Sequence, residues 1–370
     1  MKIGTVKEQT PFENRVGLIP NHVYEYIQKG HEVYVEKDAG VGSGFTDAMY
    51  EAVGAHIVDQ ATVWEYSDLI IKVKEPQVSE YDYLREGQML FCYLHLASHP
   101  ELATVLMDKG VSALAFETVE DQFGRLPLLK PMSEVAGRLA IQEGSKYLEK
   151  TYGGKGILLS GVPGVRGGKV VIIGSGTVGM NACKTALGMG ANVTVIGNDL
   201  SRLDYFSDVF NGQIQTVFSD AMSIEREIKN ADLIVGSVLI PGAKTPKLIR
   251  KEHLKMMEPG TVIVDVAIDQ GGFAESSRVT THENPIFIED GIVHYCVGNM
   301  PGAVPMTATQ ALSNATLPYG LMLASLGLDE ALATNGGLYA GLNVYKGQIT
   351  HPRVAEALNK VCKPYEIEPK

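Results

Sequence analysis

The stretch from Lys169 to Asp199, KVVIIGSGTVGMNACKTALGMGANVTVIGND, constrains this chain more than any other. Val170 to Ile173 is an unbroken β-branched run of the kind that a strand buried on both faces requires. It leads directly into Gly174-Ser175-Gly176-Thr177-Val178-Gly179. Three glycines at this spacing serve a tight turn, close backbone approach to a pyrophosphate, and close helix–strand packing. A helix is expected from Met180 to Met189, stopped at Gly190, and then a second strand over Val193–Ile196. Strand, glycine loop, helix and strand within about 30 residues make a dinucleotide-binding unit with the phosphates at the helix N-terminus.

The last element of that fingerprint is displaced. An acidic residue about 20 positions beyond the glycines hydrogen-bonds the adenosine ribose in NAD-binding units. Gly197 occupies the position straight after the second strand, followed by Asn198, Asp199 and, three residues on, Arg202. Either Asp199 reaches the ribose from a shifted position, which is the NAD arrangement, or the absent carboxylate leaves room for the 2′-phosphate of NADP. NAD is the first expectation, and the sequence leaves the other open.

With 370 residues there is chain enough for two or three domains with substantial cores. No apolar run approaches the roughly 20 residues needed to span a bilayer, and MKIGTVKEQT lacks the apolar core of a signal peptide. Cys92, Cys183, Cys296 and Cys362 are far apart and form neither a CxxC pair nor a Cys/His metal pattern. Reduced cysteines, no metal and a cytoplasmic location are the expectation. A net charge of −11 argues against a nucleic-acid partner.

Before the nucleotide unit, strand and helix signals alternate. Strands are expected at Lys2–Val6, His31–Glu36, Asp68–Lys74, Met89–His95 and Val111–Glu117. Helices are expected at Asn21–Gly30 with an Asn cap, at Thr46–Gly54, and at Pro100–Gly110. This is a second parallel α/β layer without a phosphate loop. Pro127 to Pro131 reads as a linker, and Ser133 as the cap of a long helix. After Asp199 strands are expected at Gln215–Val217, Leu233–Val235 and Thr261–Val266, then a helix from Thr307 to Leu326. The expected fold is α/β: two doubly wound, Rossmann-like domains separated by a cleft and linked by long helices. Residues 1–126 begin a substrate domain, 127–305 form the dinucleotide domain, and 306–370 return to complete the first.

Ligands in open α/β sheets bind outside the carboxyl ends of the strands. Lys74 closes DLIIKVK, His95 closes MLFCYLH, Asp269 follows TVIVDVAI, and Arg15 lies in the loop after the first strand. Taken singly, each has an ordinary structural reading: a solvated cation, a satisfied core histidine, a turn aspartate. Together, in a two-domain nucleotide protein, they make a carboxylate anchor plus an acid/base set.

At these residues a family resemblance becomes visible. ENRV, KVKEP, YLHLA, PLLKPMSEVAGR, GVPGV, LIPGAK, VDVAIDQGG and NMPGAVP, in that order and over nearly the whole chain, resemble bacterial L-alanine dehydrogenases. The related nicotinamide nucleotide transhydrogenase alpha subunit is similar near the start and at the IPG segment, and less so at His95 and IDQGG.

The resemblance implies reversible deamination of L-alanine to pyruvate and ammonium with NAD. Arg15 would bind the substrate carboxylate and Lys74 stabilise charge on the carboxylate or carbonyl oxygen, while His95 and Asp269 would move protons and position water. Cofactor contacts carried over are Ser133, Ser175 to Val178, Arg202, Ser219, Val238, Leu239, Val266, Asp269, Val297, Gly298 and Asn299, with Met132 and Met300 beside the nicotinamide. The departure is Gly197, where the family usually has Asp. The resemblance also implies a homo-oligomer, commonly a hexamer.

Overall fold

The computed structural model describes residues 1–238 and 245–366. Its strands are β1 (Lys2–Thr5), β2 (Glu32–Glu36), β3 (His56–Val58), β4 (Leu69–Ile71), β5 (Met89–Cys92), β6 (Ser112–Ala115), β7 (Lys169–Ile173), β8 (Asn192–Gly197), β9 (Gln215–Phe218), β10 (Leu233–Gly236), β11 (Val262–Asp265), β12 (Ile286–Glu289), β13 (Ile292–Tyr295), β14 (Leu342–Tyr345) and β15 (Gln348–Ile349). The chain divides into two compact units, residues 1–132 with 304–370, and residues 133–303.

Unit 1 carries an eight-stranded sheet in the order β15-β14-β6-β5-β4-β1-β2-β3. Strands β1 to β6 run parallel; at one edge β14 pairs antiparallel with β6, and β15 antiparallel with β14. Unit 2 carries a seven-stranded sheet, β12-β13-β11-β10-β7-β8-β9, parallel except for β12. Each sheet therefore contains the doubly wound 3-2-1-4-5-6 order, whose winding reverses between β1 and β4 in unit 1 and between β7 and β10 in unit 2. That reversal opens a crevice at the carboxyl ends of the strands, where such folds bind ligands. Cores of Trp64, Leu90, Leu94 and Leu106 in unit 1, and of Ile173, Ile234, Ile263 and Phe273 in unit 2, anchor the strands under those ends.

Several local expectations are corrected. The first helix is Pro20–Gln28, capped by Ile19 without a side-chain bond rather than by Asn21. Pro20 is already in its first turn, where a missing N–H costs nothing. By the same logic Pro131 does not make a linker: the helix Lys130–Tyr147 runs through it, and Ser133 lies inside that helix instead of capping it. The helix after the glycine loop starts at Thr177 rather than Met180. Gly197 is the last residue of β8, not the one after it. Strand β5 stops at Cys92, three residues before His95, for a reason given below.

Candidate active site

Loops at the carboxyl edge of the unit 1 sheet gather the charged residues. Arg15, in the loop after β1, is 3% exposed. Its Nε donates to Glu13 Oε1 at 2.7 Å and its Nη2 to Glu13 Oε2, so the carboxylate grips one edge of the guanidinium fork. Burial works against the charge, but the hydrogen bonds and charge of Glu13 prevail and hold Arg15 above its usual range. Nη1 donates to the Met132 thioether at 3.1 Å.

Beneath the end of β4 lies a charged cluster that the sequence analysis did not identify. Lys72, fully buried, is 2.8 Å from Glu80 and 3.5 Å from Glu8. Glu8 Oε1 also accepts the backbone N–H groups of Val73 and Lys74, at 2.6 and 3.3 Å. Burial pushes the Glu8 carboxyl up to about 7, against the pull of Lys72. The backbone that presents Lys74 is thus tied to a buried carboxylate. A lysine inside the apolar run DLIIKVK was the signal, because a buried ammonium demands anionic partners.

At β5 the chain leaves the ladder because β6 has ended beside it and a side chain takes over the next donors. Glu117, just beyond β6, accepts the N–H of His95 at 2.6 Å and that of Leu94 at 3.2 Å. His95 adopts left-handed backbone geometry, φ 47°, which a non-glycine residue holds only when its surroundings enforce it. Its side chain, 41% exposed, stacks on Tyr93 at 5.8 Å between ring centroids, with Nδ1 3.9 Å from Glu117. Tyr93 in turn is fixed by donating to the Leu128 carbonyl at 2.7 Å. Tyr93, His95 and Glu117 thus form one cluster, and burial pushes the Tyr93 hydroxyl up, with the Arg15 charge opposing it and the Glu117 charge adding to it.

In unit 2 the glycine loop has the features a pyrophosphate cradle needs. Gly174 has φ 121°, and a Cβ on it would meet Ser237 within 2.7 Å. A Cβ on Gly179 would lie 2.0 Å from the Gly174 carbonyl oxygen, whereas one on Gly176 would meet nothing within 4 Å. The first and third glycines are demanded by packing; the second faces open space at the start of the helix Thr177–Gly188, whose N-terminus has no side-chain cap. The residues present fit a dinucleotide.

The remaining candidates of unit 2 follow the carboxyl ends of neighbouring strands. Ser219 follows β9 and donates its N–H to the Gly197 carbonyl at 2.9 Å; Val238 follows β10; Val266 follows β11 and donates to Gly236 at 3.0 Å. Asp269, exposed in a short 3₁₀ turn, accepts the Asn299 N–H at 3.3 Å, which brings it to the Val297–Met300 segment after β13. Asp265, at the end of β11, is a further residue the sequence analysis missed. Fully buried, it accepts from the Ala267 and Phe273 N–H groups and closes the loop that carries Asp269. Leu239 and the rest of LIPGAK lie outside the described residues. Ser133, Met132 and Arg15 lie along the sequence entering or within unit 1 and the start of unit 2.

Two doubly wound units, one with a glycine loop shaped for phosphates and the other with ionisable side chains at its carboxyl edge, define the class of two-domain dinucleotide-binding proteins. The chain belongs to the alanine dehydrogenase/PNT family. The model of that family's N-terminal domain matches residues 4–136, and that of its C-terminal domain residues 140–352. An alanine dehydrogenase of Staphylococcus haemolyticus (strain JCSC1435) is 53% identical over 359 residues, 96% of this chain and 96% of that protein. A solved L-alanine dehydrogenase superposes with a TM-score of 0.94 at 46% identity, over 97% of this chain and 99% of that one. A transhydrogenase from Sinorhizobium meliloti superposes with a TM-score of 0.82 at 22% identity, over 95% of this chain and 99% of that one, a likeness of fold alone. No helix among the described residues is long and apolar enough to cross a membrane.

Proposed function

We propose that the chain catalyses the reversible oxidative deamination of L-alanine: with NAD⁺ and water it yields pyruvate, ammonium, NADH and a proton. Support comes from Arg15, Lys74 and His95, each in the segment that follows a parallel strand of the unit 1 sheet, in a chain more than half identical to a protein called alanine dehydrogenase. The transhydrogenase likeness does not compete, because it rests on fold at low identity.

When bound, the nicotinamide supplies the hydride acceptor. Arg15 binds the substrate carboxylate. Glu13 fixes the plane of its guanidinium, and the Nη1 edge exchanges the Met132 thioether, a weak acceptor, for a carboxylate oxygen. Lys74 stabilises negative charge on the substrate oxygens. Once the Cα hydride has left and an imine has formed, Asp269 positions the water that adds to it. His95 hydrogen-bonds the resulting hydroxyl and moves its proton as ammonia departs. Gly174 to Gly179 cradle the pyrophosphate, while Gly197, Asn198, Asp199, Arg202 and Ser219 line the adenosine side. Ser133, Val238, Val266, Val297, Gly298, Asn299 and Met300 line the nicotinamide side. A homohexamer and a cytoplasmic location belong to the same proposal, on the family resemblance.

The test is a spectrophotometric assay of reduced nicotinamide with L-alanine and NAD⁺, run beside D-alanine and other amino acids. Reduction that requires L-alanine is expected. Absence of reduction with every amino acid would overturn the proposal.

A further inference from the structure

We propose that the adenosine end of the nucleotide site takes a 2′-phosphate: the chain binds NADPH with an affinity within about tenfold of its affinity for NADH, and Arg202 is the residue that engages the phosphate. This rests on the nucleotide site proposed above, and all of its residues lie in unit 2.

Discrimination against a 2′-phosphate needs a carboxylate at the end of the second strand of the unit, where it accepts from the ribose hydroxyls and repels the phosphate. Here β8 ends in Gly197. The missing side chain is directed at the nucleotide loop, because a Cβ built on Gly197 lies 2.8 Å from Ser175 Oγ. Ser175 and Leu203, 2.8 and 3.1 Å from that Cβ, close over the position, so β8 ends beside the glycine loop with no side chain and no charge of its own.

Asp199, two residues further on, is engaged through one of its oxygens by the chain itself. Its Oδ1 accepts from the Ser201 N–H at 2.9 Å, the Ser201 hydroxyl at 2.5 Å and the Arg202 N–H at 3.2 Å. It is the N-cap of the helix Leu200–Phe210, and the Ser201 hydroxyl, the first-turn N–H groups and the nearby Arg202 charge hold its carboxyl below the usual range. Asn198, between Gly197 and Asp199, is neutral and exposed.

A cation takes the place of the carboxylate. Arg202 Nε donates to the Ser175 carbonyl at 3.0 Å, so the guanidinium is tied to the glycine loop itself. The rings of Tyr205 and Phe206 lie beside it, with centroids 5.5 and 5.9 Å from Cζ. Among the described residues no carboxylate forms an ion pair with it. An arginine held by its Nε keeps its two terminal nitrogens as donors, which is what a phosphate monoester accepts in bidentate fashion. Taken together, a strand end without a carboxylate, an aspartate engaged as a helix cap and a tethered guanidinium match a 2′-phosphorylated dinucleotide.

The experiment is a calorimetric titration of the full-length protein with NADH and with NADPH, and of the variants Arg202→Gln, Gly197→Asp and Gly197→Ala, each first checked for an unchanged unfolding transition. The expected ratio of Kd for NADPH to Kd for NADH is below about ten in the unsubstituted protein. It rises about tenfold or more in Arg202→Gln and in Gly197→Asp, and stays within about threefold in Gly197→Ala. The alanine control separates the carboxylate's charge from the bulk placed near Ser175. A starting ratio above ten, or a ratio that Arg202→Gln leaves unchanged, overturns the inference while leaving the nucleotide site in place. Binding of neither dinucleotide overturns the site and the inference together.

Discussion

Glu117 accepts the backbone N–H of His95 at 2.6 Å, and the same carboxylate lies 3.9 Å from that residue's Nδ1. One acidic group thus ends strand β5, holds His95 in left-handed geometry and faces its imidazole. Glu117→Ala leaves two part-buried N–H groups without their acceptor, which costs about 1–3 kcal/mol of stability. If His95 works through its position, turnover falls further than stability predicts, by roughly 10- to 100-fold in kcat, with a smaller change in KM for L-alanine. Glu117→Gln, which keeps an acceptor oxygen, should recover much of the loss, and His95→Ala sets the floor. Initial rates with urea unfolding of the same samples decide the matter. A Glu117→Ala protein within twofold of normal kcat would limit Glu117 to a structural role.

Glu8 makes stability depend on pH. Its carboxyl is raised from 4.5 to about 7, first by burial, so the native state holds a proton that the unfolded chain has already released over that interval. A raised acid contributes stability that is complete below its unfolded pKa and is lost as pH rises through its folded one. The contribution of Glu8 is therefore expected to decline between about pH 4.5 and 7. Glu8→Gln keeps an oxygen for the Val73 and Lys74 amides and does not titrate, while Glu80 still pairs Lys72. Relative to the unsubstituted protein, the variant should gain stability as pH rises through that window. Urea midpoints taken at half-unit steps measure the difference, and a flat difference would show that Glu8 is ionised throughout.

The parts of this fold that were legible in the sequence are those set by neighbours in the chain. The glycine loop carries its own steric demands, and buried parallel strands announce themselves as apolar runs. Asp290-Gly291, both at positive φ between β12 and β13, is the residue pair of a two-residue hairpin turn and is equally local. Asp199 likewise has the residue type and setting of a helix cap, although its position near the glycines invites a ribose role. What was hidden depends on distance along the chain. Glu117 reaches His95 from 22 residues away, and Glu8 reaches Val73 from 65, through a sheet whose order no local pattern reveals. His95 reads as the end of a strand because its run is apolar; it leaves the strand because a distant carboxylate takes its N–H.

Gly176 and Gly179 separate binding from folding within one loop. A methyl on Gly179 would sit 2.0 Å from the Gly174 carbonyl oxygen, a backbone atom that cannot swing away. Gly179→Ala must push the helix Thr177–Gly188 off β7, and a loss of about 1–3 kcal/mol of stability is expected, as for overpacked cores. A methyl on Gly176 meets nothing, and its backbone, φ −82° and ψ −163°, suits an L side chain. Gly176→Ala should leave stability unchanged or raise it by a few tenths of a kcal/mol through the unfolded chain. If a pyrophosphate approaches this backbone as closely as the glycine spacing implies, the same methyl occupies its path. NADH affinity should then fall by about tenfold or more without any change in the unfolding transition. Titration and urea unfolding of the two variants side by side test this directly. A Gly176→Ala protein that binds NADH normally would mean that the phosphates lie elsewhere, and that this loop is only a tight turn between strand and helix.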